Sequence, residues 1–295
     1  MPIAQALRAL AQQYQPELKQ GAVSFNLAGV RLFQVTQYCP PTPLVYEAGL
    51  IIIGQGHKIG HVGERVLRYD ANNYLILGVS IPFMCETFAT EQDPLLGLSI
   101  DIDLGLLGEM VERLRQTGLL TSAEEQLPCA IDAVPLVGEM EDAVVRLAKV
   151  LANPLEAELL GPAILQEILY RVLTGPQGGI LSGLASYNGK YAQIAKALLR
   201  IQRDYAAPLA MEELAQEAGM SESAFYRAFR QVTLESPLQY LKKLRLDRAR
   251  QGIESQGWRA SVAAQQVGYE SLSQFSREFK RHFGYAPSKG RLKHA

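Results

Sequence analysis

Residues Ala263–Pro287, AAQQVGYESLSQFSREFKRHFGYAP, decide how the rest of the chain is read. They hold an apolar helix, a tight turn at Gly268-Tyr269-Glu270, and a second helix that mixes aromatic anchors with cations. Phe275, Phe279 and Phe283 recur every four residues, so one helix face can bury all three. Ser273, Gln274, Arg277, Lys280 and Arg281 fall on the other faces. One side packs while the other offers hydrogen-bonding and cationic groups, the layout by which a helix-turn-helix meets a DNA major groove. A looser copy, MEELAQEAGMSESAFYRAFRQ, stands upstream at Met211–Gln231.

Between the two copies, Pro237–Glu254 is expected to form a long helix that partly buries Leu238, Leu241, Leu244, Leu246 and Ala249. At 1.5 Å per residue this is a rod of about 25 Å that fixes the spacing of the recognition helices. A turn of B-DNA is ~34 Å, so the two helices can enter successive major grooves. In the first copy, Gly219 supplies the positive φ of the turn and Ser221 caps the second helix. Phe225 and Phe229 anchor that helix. Trp258 in the short connection reads as packing. A helix over Ala192–Arg203, with Ile194, Leu198 and Ile201 inward, precedes both copies.

Base contacts are expected from Ser223, Tyr226 and Arg227 on the first recognition helix and from Ser273, Gln274 and Arg277 on the second. Arginine pairs bidentately with guanine and glutamine with adenine. Arg230, Arg245, Lys280 and Arg281, with Ser221 and Ser271 at helix starts, are expected to hold phosphates and set the register. Glu222 departs from a purely cationic surface; it reads either as a cytosine contact or as an N-terminal helix acid.

On these residues the chain resembles AraC/XylS-type transcriptional regulators. The resemblance runs from about Ala192 to Arg291, and G-Y-x-S-x-S-x-F-S-R-x-F-K-R-x-F-G-x-x-P-S is carried almost complete by Gly268 through Ser288. The first part is similar to the cupin-type N-terminal domain of one branch of that family. That match lies at Leu50–Gly56 (LIIIGQG), Arg68-Tyr69-Asp70, Ile81-Pro82-Phe83 and Leu160–Gly178. The resemblance implies an N-terminal domain that senses a small molecule or partner and dimerises, and a regulator that activates by presenting a surface to RNA polymerase; repression at some sites is equally compatible with the sequence.

Charge divides as this organisation requires. The 295-residue chain has a net charge of −1. Residues 187–295 carry 18 Lys and Arg against 10 Asp and Glu, a balance of +8; residues 1–186 carry 11 against 20, a balance of −9. A basic module fused to an acidic partner is the electrostatic footprint of a DNA binder. Cys39, Cys85 and Cys129 form neither a zinc-finger spacing nor a disulfide framework. The N-terminus, MPIAQALRALAQQY, reads as an amphipathic helix with Ile3, Ala6, Leu7 and Leu10 on one side. No run approaches 18 apolar residues. A cytoplasmic, nucleoid-associated protein without a membrane segment is expected.

After Pro16 the pattern turns to short β-runs separated by Gly, Pro and Asp/Asn: nine between Ala22 and Ile102, which suggest a sandwich or small barrel. Helices are expected at Leu104–Gln116, Val137–Leu151 and Pro162–Leu173, with 119–137 irregular and 175–183 a glycine-rich linker. The fold class is therefore α+β multidomain. A cupin-like β-barrel with flanking helices over 1–186 precedes an all-α double helix-turn-helix domain over 187–295. Dimerisation is expected through one of the three helices. Arg31, Tyr46, Tyr69, Tyr74, Phe83 and Cys85 are candidates for an effector pocket.

His57, His61 and Glu64 invite a metal reading. On a strand, however, 57 and 61 share a face while 64 points to the other, and the cupin H-x-H pair is missing. No metal or cofactor is expected. The rival readings are a metal-dependent cupin enzyme fused to a DNA-binding domain, a repair protein with an alkyl-accepting cysteine, and a module that only dimerises. The reading adopted is non-enzymatic: a DNA-binding regulator, acting as a homodimer on double-stranded DNA and controlled by a small-molecule effector or partner.

Overall fold

The computed structural model describes residues 2–19, 21–120, 127–185 and 189–289. The chain forms two compact units, Met1–Ala192 and Gln193–Ala295. The boundary expected near Ser186 lies outside the described residues.

The first unit starts with α1 (Pro2–Gln13) and α2 (Gln15–Leu18). The strands β1 (Val23–Ser24), β2 (Val30–Val35), β3 (Cys39–Tyr46), β4 (Gly49–Gln55), β5 (His57–Val62), β6 (Arg65–Asp70), β7 (Asn73–Leu77), β8 (Ile81–Phe88) and β9 (Leu95–Asp101) follow. It closes with α3 (Leu104–Gln116), β10 (Ile131–Pro135), α4 (Glu139–Val150), α5 (Pro154–Thr174) and α6 (Gly178–Leu184). The strands build two antiparallel sheets, ordered β1-β2-β9-β4-β7-β10 and β3-β8-β5-β6. This is the β-rich domain with flanking helices that the sequence indicates.

Strand alternation sorts the larger sheet into two faces. Val30, Leu32, Leu50, Ile52, Tyr74, Ile76, Leu96, Leu98 and Ile100 share a core with α1, α3, α4, α5 and α6. Their neighbours Arg31, Phe33, Ile51 and Ser99 face Tyr46 and Lys58 of the smaller sheet. The amphipathic α1 buries Ile3, Leu7, Leu10 and Ala11. It packs so closely that a Cβ on Gly54 would stand 2.6 Å from Leu7 Cδ1.

Three expectations shift. β10, inside a segment read as irregular, pairs with β7 from Ile131↔Leu77 to Pro135↔Asn73; five residues containing Asp and Pro give too weak an alternation to announce a strand. Helix α5 begins at Pro154, not Pro162, because Asn153 Oδ1 accepts from the Leu155 and Glu156 amides. Pro162 is carried inside the helix, next to a Gly161 pressed on Leu27. The 175–183 segment is no slack linker: α6 buries Gly178, Ile180 and Leu181 in the core.

Helix α7 (Lys190–Asp204) carries the chain across the division. The second unit continues with α8 (Met211–Glu217), α9 (Glu222–Thr233), α10 (Pro237–Gln256), α11 (Ala260–Gln266) and α12 (Leu272–Phe283). Ser221, Ser236 and Ser271 cap α9, α10 and α12 by accepting from the third amide. Gly219 and Gly268 take φ of +64° and +79° in the two turns, and Gly252 lies under the Trp258 ring. Among the described residues no helix is long and apolar enough to cross a membrane.

Candidate nucleic-acid interface and ligand cavity

In the second unit, each recognition helix is held from one side. Phe225 and Phe229 are wholly buried, their rings 5.6 Å apart, with Tyr240 of α10 edge-on to Phe229 at 5.7 Å. Phe275 and Phe279 are likewise buried, 5.5 Å apart, and Phe283 lies 4.5 Å from Phe279. Leu246, Ala249, Ile253, Ala263, Ala264 and Val267 complete that second core. Burying two Phe rings per helix contributes several kcal/mol, at roughly 25 cal/mol per Å² of apolar surface, and fixes which residues face outward.

The outward residues are the expected ones. Ser223, Arg227, Ser273, Gln274 and Arg277 are exposed and Tyr226 is half-buried. Gln274 Nε2 makes a long 3.4 Å bond to Glu278 Oε1. Arg230, Lys280 and Arg281 are exposed, as are the capping serines Ser221 and Ser271. Twenty residues of α10 at 1.5 Å each give a rod of about 30 Å between the two helices.

Arg245 is the exception. Its guanidinium donates to three backbone carbonyls: Tyr205 at 2.7 Å, Ala207 at 3.0 Å and Gly268 at 3.2 Å. Burial lowers its pKa. It clamps the loop after α7 to the turn of the second helix-turn-helix, so the expected phosphate role gives way to a structural one. The same turn is fastened through Glu278, which accepts from Lys242 at 2.6 Å and Tyr269 at 2.8 Å. Burial pushes this carboxyl up, but the bonds from Lys242, Tyr269 and Gln274 more than offset it and leave it below the usual range. An inward-facing arginine carries no periodic signal that separates it from the exposed arginines, which is why sequence reasoning misplaces it.

In the first unit a 250 Å³ cavity opens between the sheets, lined by Arg31, Phe33, Tyr46, Lys58, Ser99 and Asp101 among others. Lys58 Nζ donates to Tyr46 Oη at 2.8 Å, and its ammonium lies 5.6 Å from the Phe33 ring centroid and 5.4 Å from that of Tyr46. The Tyr46 hydroxyl is 3.4 Å from that of Tyr69, which is 3.3 Å from Cys85 Sγ. Phe83 packs against Tyr46 at 5.7 Å. Of the six candidates, Arg31 and Tyr46 line the cavity, and Tyr69, Phe83 and Cys85 join it only through contacts behind Tyr46. Tyr74 does not: its strand turns it to the helix-facing core. Lys58 is a cavity residue outside the sequence candidates, although H-K-I-G-H-V puts it on the same strand face as Gly60 and Val62.

Burial pushes the Cys85 thiol up, and Lys58 and Tyr69 only partly offset it; a protonated buried thiol is a poor electrophile trap. His57 stacks on Phe88 at 4.3 Å, while His61 and Glu64 are exposed. Among the described residues no three His, Cys, Asp or Glu side chains are grouped to hold a metal ion. Arg31 pairs with Asp101 at 2.6 Å and donates to Ser99 at 3.2 Å, at the cavity rim.

Comparison with known proteins matches both units. The model of the AraC-type transcriptional regulator N-terminus covers residues 26–180, and that of a helix-turn-helix domain covers 214–293. The HTH-type transcriptional regulator AlkR of Acinetobacter baylyi is 34% identical over 97 residues, 33% of this chain and 32% of that protein. The RCS-specific HTH-type transcriptional activator RclR of Escherichia coli is 41% identical over 81 residues, 28% of each. The chain spans about a third of the length of these curated relatives. A crystal structure of ToxT from Vibrio cholerae, solved bound to an unsaturated fatty acid, superposes with a TM-score of 0.53. It covers 89% of this chain and 94% of its own at 12% identity, a likeness of fold.

Proposed function

From the premise that the chain belongs to the AraC/XylS family of transcriptional regulators, we propose that it binds double-stranded DNA in a sequence-specific way through residues 187–295. In this reading its action is controlled by a small-molecule effector or partner at residues 1–186. The observation that carries this reading is the pair of recognition helices. Each is anchored by two buried phenylalanines and capped by a serine, and each turns its polar and cationic residues to solvent. Ser223, Tyr226, Arg227, Ser273, Gln274 and Arg277 read bases; Ser221, Arg230, Ser271, Lys280 and Arg281 hold phosphates.

The protein works in the cytoplasm, on nucleoid DNA, as a homodimer that contacts RNA polymerase to activate. Leu155, Leu159 and Leu160, exposed by 63%, 67% and 51% on α5, support a dimer contact. A dimer doubles the area on DNA, which one module covers only modestly. The relatives are transcriptional regulators, which supports the non-enzymatic reading.

The test is selection of random duplexes by the full-length protein, followed by salt titration on the winner. An enriched site with two boxes about one helical turn apart, and affinity falling steeply with salt, is expected. Binding that enriches no sequence refutes the reading.

A further inference from the structure

The cavity between the two sheets holds a feature that DNA binding does not use. Lys58 is only 7% exposed, and among the described residues it has no carboxylate partner. An ammonium has three donors, and Tyr46 occupies one. The Phe33 and Tyr46 rings stabilise the charge but accept no second strong hydrogen bond. A buried charge is costly unless it is paired. Burial alone pushes the ammonium toward neutrality, but Tyr46 and Cys85 beside it more than offset this and the pKa lies above the ordinary value. The group is therefore a cation at neutral pH.

The remaining walls narrow the ligand. Val45 and Ile51 are apolar, and Glu47 and the Arg31–Asp101 pair stand at the rim. One interior cation matches one anionic charge, and the rim carboxylates disfavour a second. The volume equals about eight waters at ~30 Å³ each, below the range of drug-sized ligands. A neutral polyol leaves the ammonium unpaired and sets hydroxyls against apolar walls.

We infer that the cavity takes a small organic monocarboxylate, its anionic end bonded to Lys58 and its apolar body against Phe33, Val45 and Ile51. This rests on the reading of the first unit as an effector domain. The ligand neutralises the buried cation.

The experiment is titration calorimetry of the full-length protein with hexanoate and 3-phenylpropanoate, each against its neutral amide. The acids are expected to bind at least about tenfold more tightly, the scale of one charge-assisted hydrogen bond. Lys58→Met should abolish that preference, and Ser99→Leu, which fills the cavity and keeps the lysine, should abolish binding of acid and amide alike. Amides that bind as tightly as acids, or a preference that survives Lys58→Met, overturn the carboxylate assignment. If amide binding is also lost in Ser99→Leu, the effector cavity stands without it. Absence of binding by every acid to the wild-type protein overturns the inference, and the acid–amide comparison reads it without any variant having to fold.

Discussion

The two helix-turn-helix units share a plan and differ in how tightly each is held. Both bury a Phe pair four residues apart, both turn on a positive-φ glycine, and both start the recognition helix on a serine cap. In the first, a Cβ on Gly219 would find only Gln193 Nε2, at 3.8 Å. In the second, a Cβ on Gly268 would stand 2.3 Å from the Ala206 carbonyl, and Arg245, Lys242 and Tyr269 fasten the same turn. The second turn is packed against the loop after α7, whereas the first turn is open; the first helix-turn-helix is tied instead through α10 and, by Arg200 to Glu217 at 3.0 Å, to α7.

The largest effect that tests this contrast is removal of a core ring. Phe279→Ala and Phe225→Ala should each cost ~3–5 kcal/mol. Trp258, the single tryptophan, packs against α10 beside the second core. Its fluorescence should therefore report the loss in Phe279→Ala at a lower urea midpoint, whereas circular dichroism reports both variants. If Phe225→Ala moves the tryptophan transition as far, the two units unfold as one and the contrast is only local.

The glycines come next. Gly219→Ala should cost about 1–2 kcal/mol, the strain of a left-handed alanine. Gly268→Ala should add a further ~1–3 kcal/mol of overpacking against the Ala206 carbonyl. Equal losses in thermal denaturation would mean that the loop at 205–207 yields freely and that the Arg245 clamp holds nothing.

The same contrast explains what the sequence could and could not reveal. Phe275, Phe279 and Phe283 sit at a local period, so one stretch of 25 residues discloses the packing face and, by subtraction, the DNA face. The clamp and the cavity are assembled from distant residues. Arg245 reaches carbonyls 38 and 40 residues away, and the cavity joins β2, β3, β4, β5 and β9. Alternation says that Lys58 and Tyr74 point away from solvent, but not to which layer; only the sheet order separates the inner face from the helix-facing one. Asn153-Pro154 reads equally as the end of one helix and the start of the next, and Pro162 carries the same start signal, so the sequence alone does not choose between them.

Buried polar groups sharpen the comparison through pH. In the first helix-turn-helix Thr233 Oγ1 is satisfied, donating to the Phe229 carbonyl at 2.8 Å and accepting from the Glu235 amide at 3.3 Å. On the connecting helix neither carboxylate oxygen of Asp247 has a hydrogen-bond partner, and the same holds for His282 Nε2 on α12. Burial lifts Asp247 to about 7 against the pull of Arg250, Lys243 and Arg248. Burial, with Lys243, Arg250 and Arg281, lowers His282 to about 4. An acid still protonated when folded but ionised when unfolded loses stability as pH rises from about 4 to 7. An imidazole that takes a proton only when unfolded gains stability over about 4 to 6.5. The two slopes oppose, so wild-type stability should be nearly flat between pH 4.5 and 6. Asp247→Asn should uncover a rise with pH of up to ~1.4 kcal/mol per unit, and His282→Gln a fall. Parallel slopes in both variants would show that neither group titrates as its surroundings dictate.

The last contrast concerns readout, where the units differ least. Arg227 and Arg277 occupy matching positions, each two residues after the first buried Phe of its helix and each exposed. Replacing either with Ala should cost ~1–3 kcal/mol on the selected site and relax preference at one base position. The firmer seating of the second helix predicts an asymmetry. Arg277→Ala should lose specificity sharply, because its helix cannot shift to compensate. Arg227→Ala should lose less, and the loss should spread over neighbouring positions as the first helix adjusts. Anisotropy titrations on single-base variants of the site separate these outcomes. Equal losses on specific and random duplex would reassign either arginine to phosphate, and a sharper loss at Arg227 would reverse the ranking of the two units.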